Sequence, residues 1–248
     1  MTTKPFQTYN GGKAGNGTYQ QIINHIPKCE FFIDAFVGNG GIFFNLKLPE
    51  HTVINDIDPG IIDKYNNVAH TDKNTYVSQG VRKENLDYGS LIDKYDCTSS
   101  LKTFFYFDPP YLKSTRKSEK NLYKFDWNEN DHNLFLSLAV KVKSDCMISH
   151  YPCDLYNNSL KDWRFHDFQS ITRNGLRTER IYMNYSKPLI LQDYKYLGKD
   201  FIDRQRIKRK VKRFIAKLDN MQADERTAIL KSVIDKYSYT SAILFNHS

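Results

Sequence analysis

The chain has 248 residues, 40% hydrophobic and 26% charged, with 36 Lys/Arg against 28 Asp/Glu and a formal net charge of +8. That composition is ordinary for a globular protein long enough to bury a full core, as one domain or one domain plus an appendage. No apolar run approaches the length of a membrane span, and Met1-Thr2-Thr3-Lys4-Pro5 lacks a signal peptide's apolar core, so no membrane partner is expected. Cysteines 29, 97, 146 and 153 show neither CxxC nor zinc spacing, and the seven histidines form no ligand pattern. The simplest reading is a cytoplasmic protein with reduced thiols and no metal site. The charge is unevenly placed: residues 195–218 hold ten Lys/Arg and two Asp/Glu and carry the whole +8. A local excess of this size points to a polyanionic partner, nucleic acid before membrane.

In chain order, Tyr9-Asn10-Gly11-Gly12-Lys13 runs into Gly15 and Gly17, a permissive backbone with an accessible lysine. Residues 18–26 predict a short helix with Thr18 as its cap and Ile22, Ile23 and Ile26 on one side. Phe31-Phe32-Ile33-Asp34-Ala35-Phe36 is the first convincing strand. It runs into Val37-Gly38-Asn39-Gly40-Gly41 and then an apolar stretch, Ile42 to Leu48. Strand, glycine turn, helix is how a nucleotide-binding α/β unit begins, although the turn is not the GxGxxG fingerprint. Thr52-Val53-Ile54-Asn55 predicts a second strand ending at Asp56, an acid placed to bond ribose hydroxyls, to cap the helix at 59–66, or both.

A strand near Thr75-Tyr76-Val77-Ser78 and a helix near Ser90 to Tyr95 come next. Then follows Phe104-Phe105-Tyr106-Phe107-Asp108-Pro109-Pro110-Tyr111. Four consecutive aromatic residues read as a strand buried on both faces, at the centre of a parallel sheet. The two prolines end it, since neither can donate to a sheet ladder. Asp108 and the Pro109 carbonyl are two acceptors at one bend. Together they suit both protons of an amino group such as the exocyclic amine of adenine, with Tyr111 to stack on the base. The alternative is a Pro-Pro turn whose Asp accepts local bonds.

Residues 113–120 form a polar loop beside this bend, either solvated or a lid or nucleic-acid contact. Asn130 to Lys143 is amphipathic, with Leu134, Leu138 and Val142 in register. Cys146-Met147-Ile148-Ser149 is a strand. Strands at 165–172 and 181–185 flank Arg173-Asn174-Gly175, an Asn-Gly hairpin signal that ends the sheet in an antiparallel pair. Arg173, Arg177 and Arg180 cluster there within reach of phosphates. Beyond Pro188 two helices are expected. The first, 201–218, sets Ile207, Val211, Phe214, Ile215 and Leu218 on one face and Arg206, Arg209, Lys210, Arg213 and Lys217 on another. The second, 223–237, carries Ile229, Leu230, Val233, Ile234 and Tyr237. The pair should pack as a hairpin on each other or on the sheet. The organisation is a domain over 1–190 and a basic helical extension over 191–248.

From residue 9 to about 188 the chain resembles the Dam-like DNA adenine methyltransferases. Gly11-Gly12-Lys13, the turn Phe36-Val37-Gly38-Asn39-Gly40-Gly41, Asn55-Asp56-Ile57-Asp58 and Asp108-Pro109-Pro110-Tyr111 match the family's motifs in its order. The resemblance implies a Rossmann-like α/β sheet, mostly parallel, and S-adenosylmethionine as cofactor. It also implies methyl transfer to the amine of a flipped-out adenine in double-stranded DNA. On it, the cofactor would be held by Tyr9, Lys13, Asp34, Phe36, Gly38, Gly40, Asp56 and Asp108. Asp108, Pro109, Pro110 and Tyr111 would form the catalytic bend. Lys113, Arg116, Lys117, Arg173, Arg177, Arg206, Arg209, Lys210 and Arg213 are the candidate DNA contacts.

Two departures stand out. Ala35 replaces the family's usual proline, and only 52 positions separate Asp56 from Asp108, which leaves no room for the usual inserted recognition domain. Recognition is therefore expected from the helices at 195–240 and the 112–127 loop. Cytosine-N4, RNA or protein-amide methylation, and a non-catalytic nucleic-acid-binding module, remain the alternatives. Asp rather than Ser before Pro-Pro favours adenine over cytosine. A restriction endonuclease partner and the oligomeric state stay open.

Overall fold

A computed structural model describes residues 12–13, 15, 17–68, 80–96, 101–116, 124–172 and 175–237. The sheet runs through β1 (Phe31–Asp34), β2 (His51–Asn55), β3 (Val81–Glu84), β4 (Thr103–Phe107), β5 (Asp145–His150), β6 (Arg164–Thr172) and β7 (Gly175–Met183). Its order is β3-β2-β1-β4-β5-β7-β6. The first five strands are parallel, β7 is antiparallel to β5, and β6 closes the edge antiparallel to β7. This is the Rossmann-like sheet with the terminal antiparallel pair that the Asn-Gly signal foretold. β1 leads outward to β2 and β3 while β4 leads the other way to β5, so the β1/β4 boundary is the switch point. In open α/β sheets ligands bind at that crevice, outside the carboxyl ends of the strands.

All five β4 residues are buried, because flanking strands and helices cover both faces. Phe105 and Phe107 pack into a core with Leu91, Phe135, Leu136, Tyr156 and Tyr182, while Phe104 stacks against Phe32 with ring centroids 6.1 Å apart. The helices are α1 (Thr18–Ile23), α2 (Pro59–Val68), α3 (Tyr88–Tyr95), α4 (Glu129–Ala139), α5 (Asp154–Ser159), α6 (Phe201–Asp219) and α7 (Ala223–Lys236).

Several local expectations change. The N-cap of α1 is Gly17, at a φ of 101° that favours glycine; Thr18 is the first helical residue. The stretch after the glycine turn forms successive turns, with Phe44 N–H bonding Gly40 O and Leu46 N–H bonding Ile42 O, rather than a full helix. The strand expected near 75–78 lies outside the described residues, and β3 begins at Val81. On α4 the inward face is His132, Phe135, Leu136 and Ala139, whereas Leu134 is 57% exposed. The bulky Phe135 ring, set against Phe36, Tyr88 and Phe107, fixes that rotation.

The chain divides into two units, 1–193 and 194–248. Gln192 and Asp193 are tied into the first unit. Gln192 N–H donates to Ile26 O, its side chain donates to Lys47 O and accepts from Cys29 N–H, and Asp193 accepts from Lys47 N–H. In the second unit neither α6 nor α7 has a buried residue. Val211, Phe214, Ile215, Val233 and Ile234 stay roughly half exposed, so the apolar faces expected to pack do not bury among the described residues. No helix among those residues is long and apolar enough to cross a membrane.

Candidate active site

One cavity sits over the β1/β4 switch point. Its walls include Lys13, Asp34, Phe36, Gly38, Asp56 and Asp108, with Pro109, Pro110, Lys124, Phe125 and Trp127 closing the far side. The sheet brings these together: Asp34 ends β1, Asp56 follows β2 and Asp108 follows β4. Ala35 N–H bonds Tyr106 O and Val37 N–H bonds Asn55 O, which holds the glycine turn over the strand ends.

The turn depends on glycine. Gly38 and Gly40 have φ of 46° and 65°, and a Cβ on Gly40 would lie 2.6 Å from the Tyr65 hydroxyl and 2.8 Å from the Phe44 ring. Asp56 secures the same turn: Oδ2 accepts from Gly38 N–H at 3.0 Å and Oδ1 from Asp58 N–H at 2.9 Å. Both oxygens retain further acceptor capacity on the cavity wall. Burial, against these two bonds, raises the Asp56 carboxyl above its ordinary range. The helix-capping contact expected of Asp56 belongs instead to Asp58, which accepts from Gly60 N–H.

Asp34 is 2% exposed, and its Oδ1 has no hydrogen-bond partner among the described residues. Burial first, then the neighbouring Asp108 and Asp56 carboxylates, push its pKa well above the ordinary value. A buried acceptor without a donor is costly, and this one lines the cavity. The donor it lacks matches a ligand ammonium, so the residues fit the methionine end of S-adenosylmethionine.

At Asp108 the carboxylate is held from one side. Lys13 Nζ lies 2.8 Å from Oδ1 and the Ser149 hydroxyl donates to the same oxygen at 2.8 Å. Ser149 is itself bonded to the Tyr106 hydroxyl at 3.0 Å. Among the described residues Oδ2 receives no bond, and the side chain keeps 17% exposure on the cavity wall. Lys13 also bonds the Tyr111 hydroxyl and lies 3.5 Å from Glu179 Oε2. Burial by itself would lower the Lys13 pKa; the Asp108 and Glu179 carboxylates overcome it and hold the ammonium well above its ordinary value. Burial raises Asp108, opposed by Lys13 and Ser149.

Tyr111, expected to stack on the base, is buried in this conformation. Its ring packs against Tyr151 and His150, with centroids 4.3 and 5.1 Å away, and it does not line the cavity. His150 fixes the exit from the bend by accepting from Leu112 N–H at 2.9 Å and donating to Tyr151 O at 2.7 Å. Burial lowers its pKa to about 3, so the ring is neutral at ordinary pH.

The candidate DNA contacts separate into groups. Arg116 is committed to a buried bidentate pair with Asp126 at 2.8 and 2.6 Å, so its guanidinium is turned to that carboxylate instead of facing solvent. Arg180 is likewise bound by Asp167 and Asn157. Arg177 stands over the Tyr151 ring, 5.9 Å from its centroid, beside a groove that Leu112, Ser114 and Thr115 also line. Lys113, Arg206, Arg209, Lys210 and Arg213 are exposed. Tyr9, Lys117 and Arg173 lie outside the described residues.

Ser149, His150, Glu179 and Trp127 were not foreseen. Alternation along β7 was the available signal for Glu179, which shares a face with buried Ile181 and Met183.

The sequence model of the D12 class N6 adenine-specific DNA methyltransferases matches residues 9–100. That segment spans the lysine, glycine turn and Asp56, and stops before Asp108. Among curated proteins none matches the chain. Solved structures with a similar trace include a Pyrococcus horikoshii protein assigned as an RNA methyltransferase (11% identity, 75% of this chain and 93% of that one, TM-score 0.45). Others are a Streptococcus mutans protein assigned as a methyltransferase, in complex with SAH (15%, 66% and 94%, 0.43), and an rRNA methylase from Streptococcus thermophilus (10%, 66% and 92%, 0.41). Over residues 9–100 the chain is similar to the D12 class N6 adenine-specific DNA methyltransferases, and its sheet has the trace of solved methyltransferases.

Proposed function

We propose that the protein methylates the exocyclic amine of adenine in double-stranded DNA, with the base swung out of the helix into the cavity. The observation that carries this reading is the divided Asp108 carboxylate: Oδ1 is taken by Lys13 and Ser149, and Oδ2 is left toward the cavity. When bound, S-adenosylmethionine supplies an electrophilic methyl group. Asp34 Oδ1 would accept from its ammonium, Asp56 would meet its ribose, and the turn at 36–41 would lie beneath it. Asp108 Oδ2 and the Pro109 carbonyl would accept hydrogen bonds from the two amine N–H groups, which would direct the nitrogen lone pair at the methyl group. Lys13 and Ser149 keep the carboxylate oriented without occupying the oxygen that does this. Positioning and electrostatics supply the acceleration. A base must leave the stack for its amine to reach such a bend.

DNA is favoured as substrate by the matched class and by the exposed basic face of α6. In place of an inserted recognition domain, Arg206, Arg209, Lys210 and Arg213, with Lys113 and Arg177 of the first unit, would contact phosphates. Transfer of labelled methyl groups to duplex DNA, single-stranded DNA and RNA, with identification of the modified nucleoside, tests the proposal. N6-methyladenine in duplex DNA is expected; label confined to RNA or to cytosine would overturn it.

A further inference from the structure

Glu179 belongs to none of the segments that motif and charge pattern single out, yet it closes the site from the antiparallel side of the sheet. Strand alternation turns it inward with Ile181 and Met183, and it is 5% exposed. Its Oε2 accepts from the Tyr111 hydroxyl at 3.1 Å and lies 3.5 Å from Lys13 Nζ. One ammonium is thus shared by two carboxylates from different strands, Asp108 after β4 and Glu179 on β7. A buried carboxylate persists only where a partner offsets its lost hydration. Lys13 provides that partner and cannot move fully toward Asp108 without leaving Glu179 uncompensated.

We infer that Glu179 is a positioning residue for the transfer. It holds the Lys13 ammonium on Oδ1 of Asp108 and tethers the Tyr111 phenol, so that Oδ2 stays turned toward the amine. The inference rests on the role proposed above for Asp108. Glu179 touches neither the cavity nor the reacting atoms, and acts through Lys13 and Tyr111.

Glu179→Gln keeps an acceptor for Tyr111 and removes the charge; Glu179→Ala removes both. For the full-length protein, kcat is expected to fall by about 10-fold in Glu179→Gln and ~100-fold in Glu179→Ala, with the KM for S-adenosylmethionine within about 3-fold of wild type. Lys13 loses a stabilising anion in Glu179→Gln, so its pKa falls and the alkaline limb of the rate profile moves to lower pH. The companion readout needs no substrate: pH-dependent amine labelling followed by mass spectrometry should find Lys13 protected in wild type and modified more readily in Glu179→Gln. Wild-type kcat in both variants, or Lys13 labelling unchanged in Glu179→Gln, would overturn the inference. A wild-type protein that transfers no methyl group to DNA, with the labelling shift intact, would overturn the DNA reading and leave the placement of Glu179 standing. Glu179→Gln is isosteric, so the test holds even where Glu179→Ala fails to fold.

Discussion

At the carboxyl edge of the sheet Lys13 and Glu179 are packed away from water, each at most 5% exposed, while along α6 Arg206, Arg209, Lys210 and Arg213 stand in solvent. Both regions are rich in charge, and they use it differently. Buried charges hold one geometry, because losing a partner leaves an ion without compensation. Exposed charges of one sign generate a field that attracts a polyanion and is screened by salt. Chemistry therefore belongs at the sheet edge, where atoms must be fixed. On the proposed function, duplex attraction would belong to the helices, where register matters less.

The contrast can be broken from either side. Lys13→Met leaves Asp108 and Glu179 facing each other without their shared cation and should cost the largest factor, about 10²–10³ in kcat. Single-turnover methyl transfer checks this, and a change confined to DNA affinity would merge the two regions' roles. Replacing Arg206, Arg209, Lys210 and Arg213 together by Gln should weaken duplex binding by ~100-fold. The slope of log affinity against log salt should flatten by about 3–4, with kcat at saturating DNA within about 2-fold. An unchanged salt slope would show that these residues do not meet phosphates.

Smaller effects sharpen the site itself. Gly40→Ala forces a Cβ onto Tyr65 and Phe44 at a positive φ, and should destabilise the fold by about 1–3 kcal/mol while weakening S-adenosylmethionine binding. Calorimetry of binding and a thermal melt would measure both. His150 has a folded pKa of about 3 against an ordinary 6.5, so the unfolded chain takes up its proton first as pH falls. The stability it contributes is complete above pH 6.5 and declines below it, by about 2–3 kcal/mol between pH 6.5 and 4.5. Urea unfolding at those two pH values should show that decline in wild type and a shallower one in His150→Gln.

The sequence displays the sheet edge in part. Four aromatics ending in Asp-Pro-Pro, and a glycine turn with an acid downstream, are local signals whose spacing survives folding. Ser149 and Glu179 gain their meaning only when β5 and β7 are laid beside β4, which no window of residues reveals. Arg116 and Arg180 looked like phosphate contacts because charge is visible in sequence and its partners, Asp126 and Asp167, are not. On α4 the leucine register was outweighed by the larger Phe135 ring, which needed the aromatic pocket of Phe36, Tyr88 and Phe107. The hydrophobic period of α6 and α7 correctly located helices, yet period alone does not say what their apolar faces meet.

The most direct test of the central claim is Asp108→Asn in the full-length protein, assayed for methyl transfer to duplex DNA and for S-adenosylmethionine binding together. The amide keeps the size of the side chain and places a donor where the amine needs an acceptor. Transfer is expected to fall by about 10³-fold or more, with cofactor affinity within about 10-fold and the melting temperature little changed. Transfer at or near the wild-type rate would contradict the account.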